Sequence, residues 1–254
     1  MYTKNTAKFL SRYAAYILAA GSSSARCERT VYRMAKAFGV QVEMTILPRS
    51  VMMTVWDSSH EKSMAMNEKL PTTPLNFHLI SLFSQLSWKV RDMHISVDEA
   101  QVELENILSQ PRLNAYLVTL LTGLGNASFC RLFGGDWVAM FLVFVATING
   151  FALKNILHQR WSWDIRLATL VAACTSSVIA SAAFVFGVTD TPDIALGTSV
   201  LYLIPGIPYI NSVSDLISGH FLCSLSRFIH ACILTACLGI GLALGILIMN
   251  IQYF

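Results

Sequence analysis

The chain has 254 residues, 54% hydrophobic and 13% charged, with a net charge of +3, so it carries no basic footprint for nucleic acid. Its six cysteines, at 27, 130, 174, 223, 232 and 237, show no paired spacing, which excludes a disulfide framework or a zinc site. Of 33 charged residues, 23 lie in 1–112, which points to a membrane protein: an N-terminal cytoplasmic α/β domain over 1–112, then a five-helix transmembrane domain over 113–254.

At the amino terminus, Lys4, Lys8 and Arg12 precede the short apolar run Tyr13 to Ala20, and Ser22 to Ala25 follow, a loose imitation of a secretory signal. Arg12 limits that run to about eight residues. Apolar residues at 9, 10, 13, 17 and 18 have the spacing of an amphipathic helix that Gly21 ends. Ser22 to Phe38 reads as a second helix, stopped by Gly39, with a basic face of Arg26, Arg29, Arg33 and Lys36. The period then becomes two: Val40, Val42, Met44 and Ile46 predict one strand, and Val51 to Trp56, after Pro48, a second. Pro71 and Pro74 mark a loop before a helix over Phe77 to Val90. Ser96-Val97-Asp98-Glu99 is a capping-box signature for a helix ending near Ser109.

Five apolar blocks follow Arg112, near 113–131, 137–155, 166–187, 194–212 and 228–249, each close to the ~20 residues that cross a hydrocarbon core. Asn126 and Asn149 in the first two blocks are suited to facing protein rather than lipid. Lys154, Arg160, Arg166 and Arg227 fall in loops on one side, whereas Asp136, Asp190 and Asp193 fall on the other. Basic loops stay cytoplasmic, which places residues 1–112 in the cytoplasm and Phe254 outside.

The fourth block is interrupted by Pro205-Gly206-Ile207-Pro208, and Asn211 and Asp215 lie just beyond. Two prolines and a glycine at membrane depth need neighbouring protein or a wet cavity to satisfy the freed backbone. One reading is a kink or re-entrant turn with Asp215 already in water. The other is a resumed helix starting near Pro208, whose amides attract a substrate carboxylate, with Asn211 and Asp215 on one face. Gly219 and His220 continue that line, and Asp215 and His220 are the candidates for proton coupling in the absence of any nucleotide loop. Gly241 and Gly245, four apart in the last block, have the spacing of close helix packing.

No Gly-x-Ser-x-Gly, Walker or His-Glu-x-x-His motif is present, and the histidines form no ligand spacing, so neither catalysis, cofactor nor metal is expected. The Arg26 to Lys36 face reads either as a solvated helix surface or as a contact for an anionic headgroup or ligand. An anchored enzyme built from Glu28, Asp57, His60 and Glu61 and a membrane scaffold remain as alternatives to a transporter.

Gly21 before a helix with Glu28 and Arg29, the Ala37-Phe38-Gly39 helix end, the strand pair about Pro48, and above all Pro205-Gly206-x-Pro208-x-x-Asn211-x-x-x-Asp215 with Gly219-His220 resemble the threonine/serine exporter (ThrE) family. The similarity is greatest to its shorter, YjjP-like branch and covers nearly the whole chain. The resemblance implies an inner-membrane exporter of small carboxylates, succinate or threonine and serine. It also implies a partner, a separate small membrane subunit of the YjjB type, because the chain has no second half after its fifth span. Many relatives carry an acidic residue two positions beyond the glycine; here that residue is Ser23, and no role for such a carboxylate is carried over.

Overall fold

The computed structural model describes residues 2–58, 60, 62–73, 75–111 and 113–251; Glu61, Pro74, Arg112 and Phe254 lie outside them. The chain forms two compact units. The first is Met1–Pro111 with Ile207–Ile229, and the second is Arg112–Gly206 with His230–Phe254. Residues 207–229 therefore belong with the amino-terminal part in the first unit.

In the first unit, α1 (Tyr2–Ala19) is the core helix: Phe9, Leu10, Tyr13 and Ile17 are fully buried, as its amphipathic spacing predicts. Tyr13 is held by a T-shaped contact with the Phe83 ring and donates its hydroxyl to the Phe83 carbonyl at 2.8 Å. Around α1 stand α2 (Ser24–Ala37), α3 (Phe77–Met93), α4 (Val97–Leu108) and an antiparallel sheet of order β1-β2-β3. The Ser96–Glu99 capping box forms with both of its bonds. β1 (Gln41–Leu47) and β2 (Ser50–Trp56) pair across a turn at Pro48 and Arg49, with Leu47 opposite Ser50. The third strand, β3 (Ser63–Lys69), was not expected. It holds no β-branched or aromatic residue, and as an edge strand it half-buries Met64, Met66 and Glu68 on one face and exposes the rest.

In the second unit, α5 (Ala115–Leu132) and α6 (Trp137–Asn155, continued by a π-turn to Arg160) pack side by side. α7 (Ile165–Phe186) follows, then the short α8 (Pro192–Thr198) and a 3₁₀ turn at Leu201–Leu203. α9 (Gly206–Ile217) and the start of α10 (Phe221–Ile248) belong to the first unit, and α10 from His230 onward belongs to the second. Asp136 caps α6 by accepting from the Ala139 amide at 2.7 Å, and it also takes the Thr189 hydroxyl and the Asp190 amide. Those donors favour the charged form and hold its carboxyl below the ordinary range.

Three helices are long and apolar enough to cross a membrane: Trp137–Arg160, Ile165–Phe186 and Phe221–Ile248. A fourth crossing is available if the pair Pro192–Leu203 and Gly206–Ile217, interrupted at Ile204 and Pro205, is one span. α5 stands outside this group because Gly123, Gly125, Asn126 and Arg131 dilute its apolar surface. The described residues thus show three or four such helices where five spans were expected.

Candidate functional site

The two motifs singled out in sequence, one near Gly21 and one ending at His220, meet within the first unit. α2 begins at Ser24, but its N-cap residue, Ser23, makes no side-chain bond to the exposed amides. A carboxylate from α9 takes that place: the Ser24 amide donates to Asp215 Oδ1 at 2.9 Å. An anion there also suits the positive end of the α2 dipole. Asp215 is fully buried, and its Oδ2 lies 3.0 Å from Arg227 Nη1 in an ion pair. Arg227 donates through Nη2 to the Ser22 carbonyl at 3.0 Å, and Asn211, one turn before Asp215, donates to the Gly21 carbonyl at 2.8 Å. Segment 21–24 is therefore clamped by three side chains from 211–227.

Glycine is required at both ends of this clamp. Gly21 has φ +102°, and a Cβ there would strike Leu75. Gly219, at φ +83°, ends α9 in a Schellman motif: its amide bonds the Leu216 carbonyl, and the His220 amide bonds the Asp215 carbonyl at 2.8 Å. The turn brings His220 Nε2 to 3.3 Å from Glu28 Oε2, and Ser212 donates its hydroxyl to the Ser224 carbonyl at 3.0 Å. Pro208 sits in the first turn of α9, where a missing amide costs nothing. Arg29 does not join the clamp; its Nε bonds the Ala25 carbonyl of its own helix. Arg227 was noted in sequence only for topology, yet it is the lone basic residue after Arg166, and an isolated charge in an apolar stretch signals a partner.

The second unit shows how the broken segment before Pro205 is supported. Asn126 on α5, buried, donates to Thr147 Oγ1 at 2.6 Å and to the Thr198 carbonyl at the end of α8 at 3.0 Å. Ser176 on α7 donates to the Ala146 carbonyl at 3.1 Å, and its hydroxyl lies 2.9 Å from that of Tyr202 in the 3₁₀ turn. Gly150 makes room for this pair, since a Cβ would collide with both oxygens. Asn149 differs from expectation: it is exposed, and its amide turns back to the Val145 carbonyl of its own helix.

A family model described as "Putative threonine/serine exporter" (ThrE) matches residues 8–249. The chain belongs to the threonine/serine exporter family. Members of this family are transporters rather than enzymes, and this one is a multi-pass bacterial membrane protein. It is 28% identical over 235 residues to the "Probable succinate transporter subunit YjjP" of Escherichia coli, covering 91% of this chain and 90% of that protein. It is 22% identical over 255 residues to the "Probable threonine/serine exporter" of Mycobacterium tuberculosis, and 20% over 246 residues to the "Threonine/serine exporter" of Corynebacterium glutamicum. Those alignments cover 98% and 93% of this chain but only 46% and 50% of the two exporters. No solved structure matches the chain at a significant level.

Proposed function

We propose that this chain is one subunit of an inner-membrane exporter of small carboxylates, succinate or threonine and serine, working with a separate small membrane subunit of the YjjB type. The near-full coverage of relatives named as succinate transporter subunits supports the two-part reading. So does Asn149, an exposed amide on an apolar helix, since such groups are stabilised when another helix covers them. The observation that carries the transport reading is the interrupted segment at 199–205. Non-helical backbone at membrane depth survives only where protein or a water-filled cavity satisfies it, and a scaffold has no need of one. Asn126 and the Ser176–Tyr202 pair supply that support.

In this proposal the substrate pathway runs beside the break, at Pro205, Gly206 and Pro208, where the first amides of α9 favour a carboxylate. Asp215 Oδ1 takes the Ser24 amide and Oδ2 faces Arg227 as an ion pair without a hydrogen bond, and in this proposal the residue holds the clamp in place. With Asn211, Gly219 and His220, it fixes α9 on the segment that carries Gly21 and Glu28. α5, at 18 residues and 1.5 Å rise, is about 27 Å long and serves as a further span, completing five. Lys154, Arg160 and Arg166, at the facing ends of α6 and α7, support a cytoplasmic 1–112 and an outside C-terminus, whereas Arg227 lies within α10 and not in a loop; a reporter joined after Phe254 that reads as cytoplasmic would refute that topology.

Labelled succinate, threonine and serine, followed in cells lacking their own exporters, test the function. Export of at least one is expected when this chain and a YjjB-type subunit are both present, and none with either alone. Absence of flux with both chains in the membrane would reject the proposal.

A further inference from the structure

The first unit holds a second polar feature that transport does not use. An open cleft of about 340 Å³ is lined by Arg26, Arg29, Thr30 and Arg33 of α2 and by Ser81 and Ser84 of α3. The arginines are spaced i, i+3 and i+7, so all three project from one face of α2, and the serines are three apart on α3. Among the described residues, no carboxylate forms an ion pair with Arg26, Arg29 or Arg33; the ion-paired lysines and arginines are Arg12, Lys89, Arg91, Arg166 and Arg227. Arg33 is held in place: Nη1 donates to the buried Ser87 hydroxyl at 2.7 Å, and its guanidinium lies 3.7 Å from the centre of the Trp88 ring. Arg91 sits over the same ring at 4.0 Å, its charge paired with Asp92 at 2.7 Å. Burial first, and then Arg91 and Arg29, lower the Arg33 pKa, while Tyr13 and Asp92 act the other way.

A solvated helix face commonly spreads or pairs its charges, whereas here three arginines of one helix line a single cleft with Ser81 and Ser84 of α3. Fixed guanidinium forks match the two-oxygen edge of a carboxylate or phosphate. We propose that this cleft binds a small oxyanion of the phosphate or carboxylate type, with Arg26, Arg29 and Arg33 as the charged contacts and the Ser84 hydroxyl of α3 as a further donor, the Ser81 hydroxyl being bonded to the Phe77 carbonyl. The site is separate from the clamp at Asp215 and does not depend on the transport proposal.

Binding to the purified full chain, in zwitterionic lipid and at physiological salt, tests the cleft with three probes: inorganic phosphate, succinate, and short-chain phosphatidylglycerol against phosphatidylcholine. Saturable binding is expected in at least one arm. The Arg26→Gln/Arg29→Gln variant should weaken it by roughly tenfold or more, because charge-assisted hydrogen bonds are lost. The fold should survive, since Arg26 and Arg29 are exposed. A Lys4→Gln/Lys8→Gln variant, which loses the same charge from exposed positions on α1, should bind as the native chain does. Binding of phosphate or succinate assigns a free solute, and binding of phosphatidylglycerol alone assigns a lipid headgroup; either supports the cleft when it depends on Arg26 and Arg29. Equal losses in both variants, or no saturable binding of any probe, would overturn it.

Discussion

Replacing Asp215 with alanine is expected to loosen the first unit by about 2–4 kcal/mol. Removing one member of a fully buried ion pair costs about 3–5 kcal/mol, because the remaining charge stays uncompensated. Arg227 keeps 23% of its side chain exposed, so part of that cost is relieved by solvent. The Ser24 amide also loses its acceptor, leaving the start of α2 uncapped. Hydrogen exchange at Ser24 and across 207–217 would measure the effect, and protection there should fall by roughly a hundredfold. The double variant Asp215→Leu/Arg227→Met should regain much of that protection, since no charge is then left buried. Unchanged exchange in Asp215→Ala would show that the clamp does not hold α9.

The second large effect is expected where α7 meets α10 inside the second unit. A Cβ on Gly241 would meet the Leu170 carbonyl and Ala173, and one on Gly245 would meet the Ser177 side chain and the Cys174 carbonyl. The Ser177 hydroxyl bonds the Leu242 carbonyl at 3.0 Å, which fixes the two helices at this short separation. Carbonyl oxygens cannot rotate away as side chains can, so Gly241→Val or Gly245→Val should each cost about 1–3 kcal/mol. Gly239 has open space around it and is the internal control. Gly239→Ala should be neutral or stabilising by up to about 1 kcal/mol, since alanine is the better helix former. Thermal unfolding of the full chain in detergent separates the cases, and equal shifts at 239 and 241 would refute this packing.

The helices of the first unit were legible because their ends carry local chemistry: Gly21, Gly39 and the Ser96–Glu99 box mark them without reference to the rest of the chain. β3 was hidden, because Ser63 to Lys69 lack the residue types that favour a strand and are ordered through pairing with β2. The break at Pro205 to Pro208 was also legible, since proline and glycine act on the backbone locally. Where α9 packs was not. Asn211 reaches Gly21 across 190 positions, and a single long-range bond of that kind leaves no periodic trace. His220 stood out for its chemistry beyond the break and Glu28 mainly through family resemblance, and their contact emerges only after the chain has folded. Arg227 could have been found by asking what partner an isolated cation in an apolar stretch requires.

The central claim is that carboxylate export runs through this chain and depends on the clamp between residues 21–24 and 211–227. Its most direct test is the initial rate of labelled succinate, threonine and serine export from cells expressing this chain with a YjjB-type subunit, native against Asp215→Asn at equal membrane levels. Asparagine keeps the size of the side chain but removes the charge that faces Arg227. Native cells should export at least one of the three, and Asp215→Asn should lower that rate by roughly tenfold or more, in line with a clamp worth several kcal/mol. Undiminished export by Asp215→Asn, or no export by the native pair, would contradict the account.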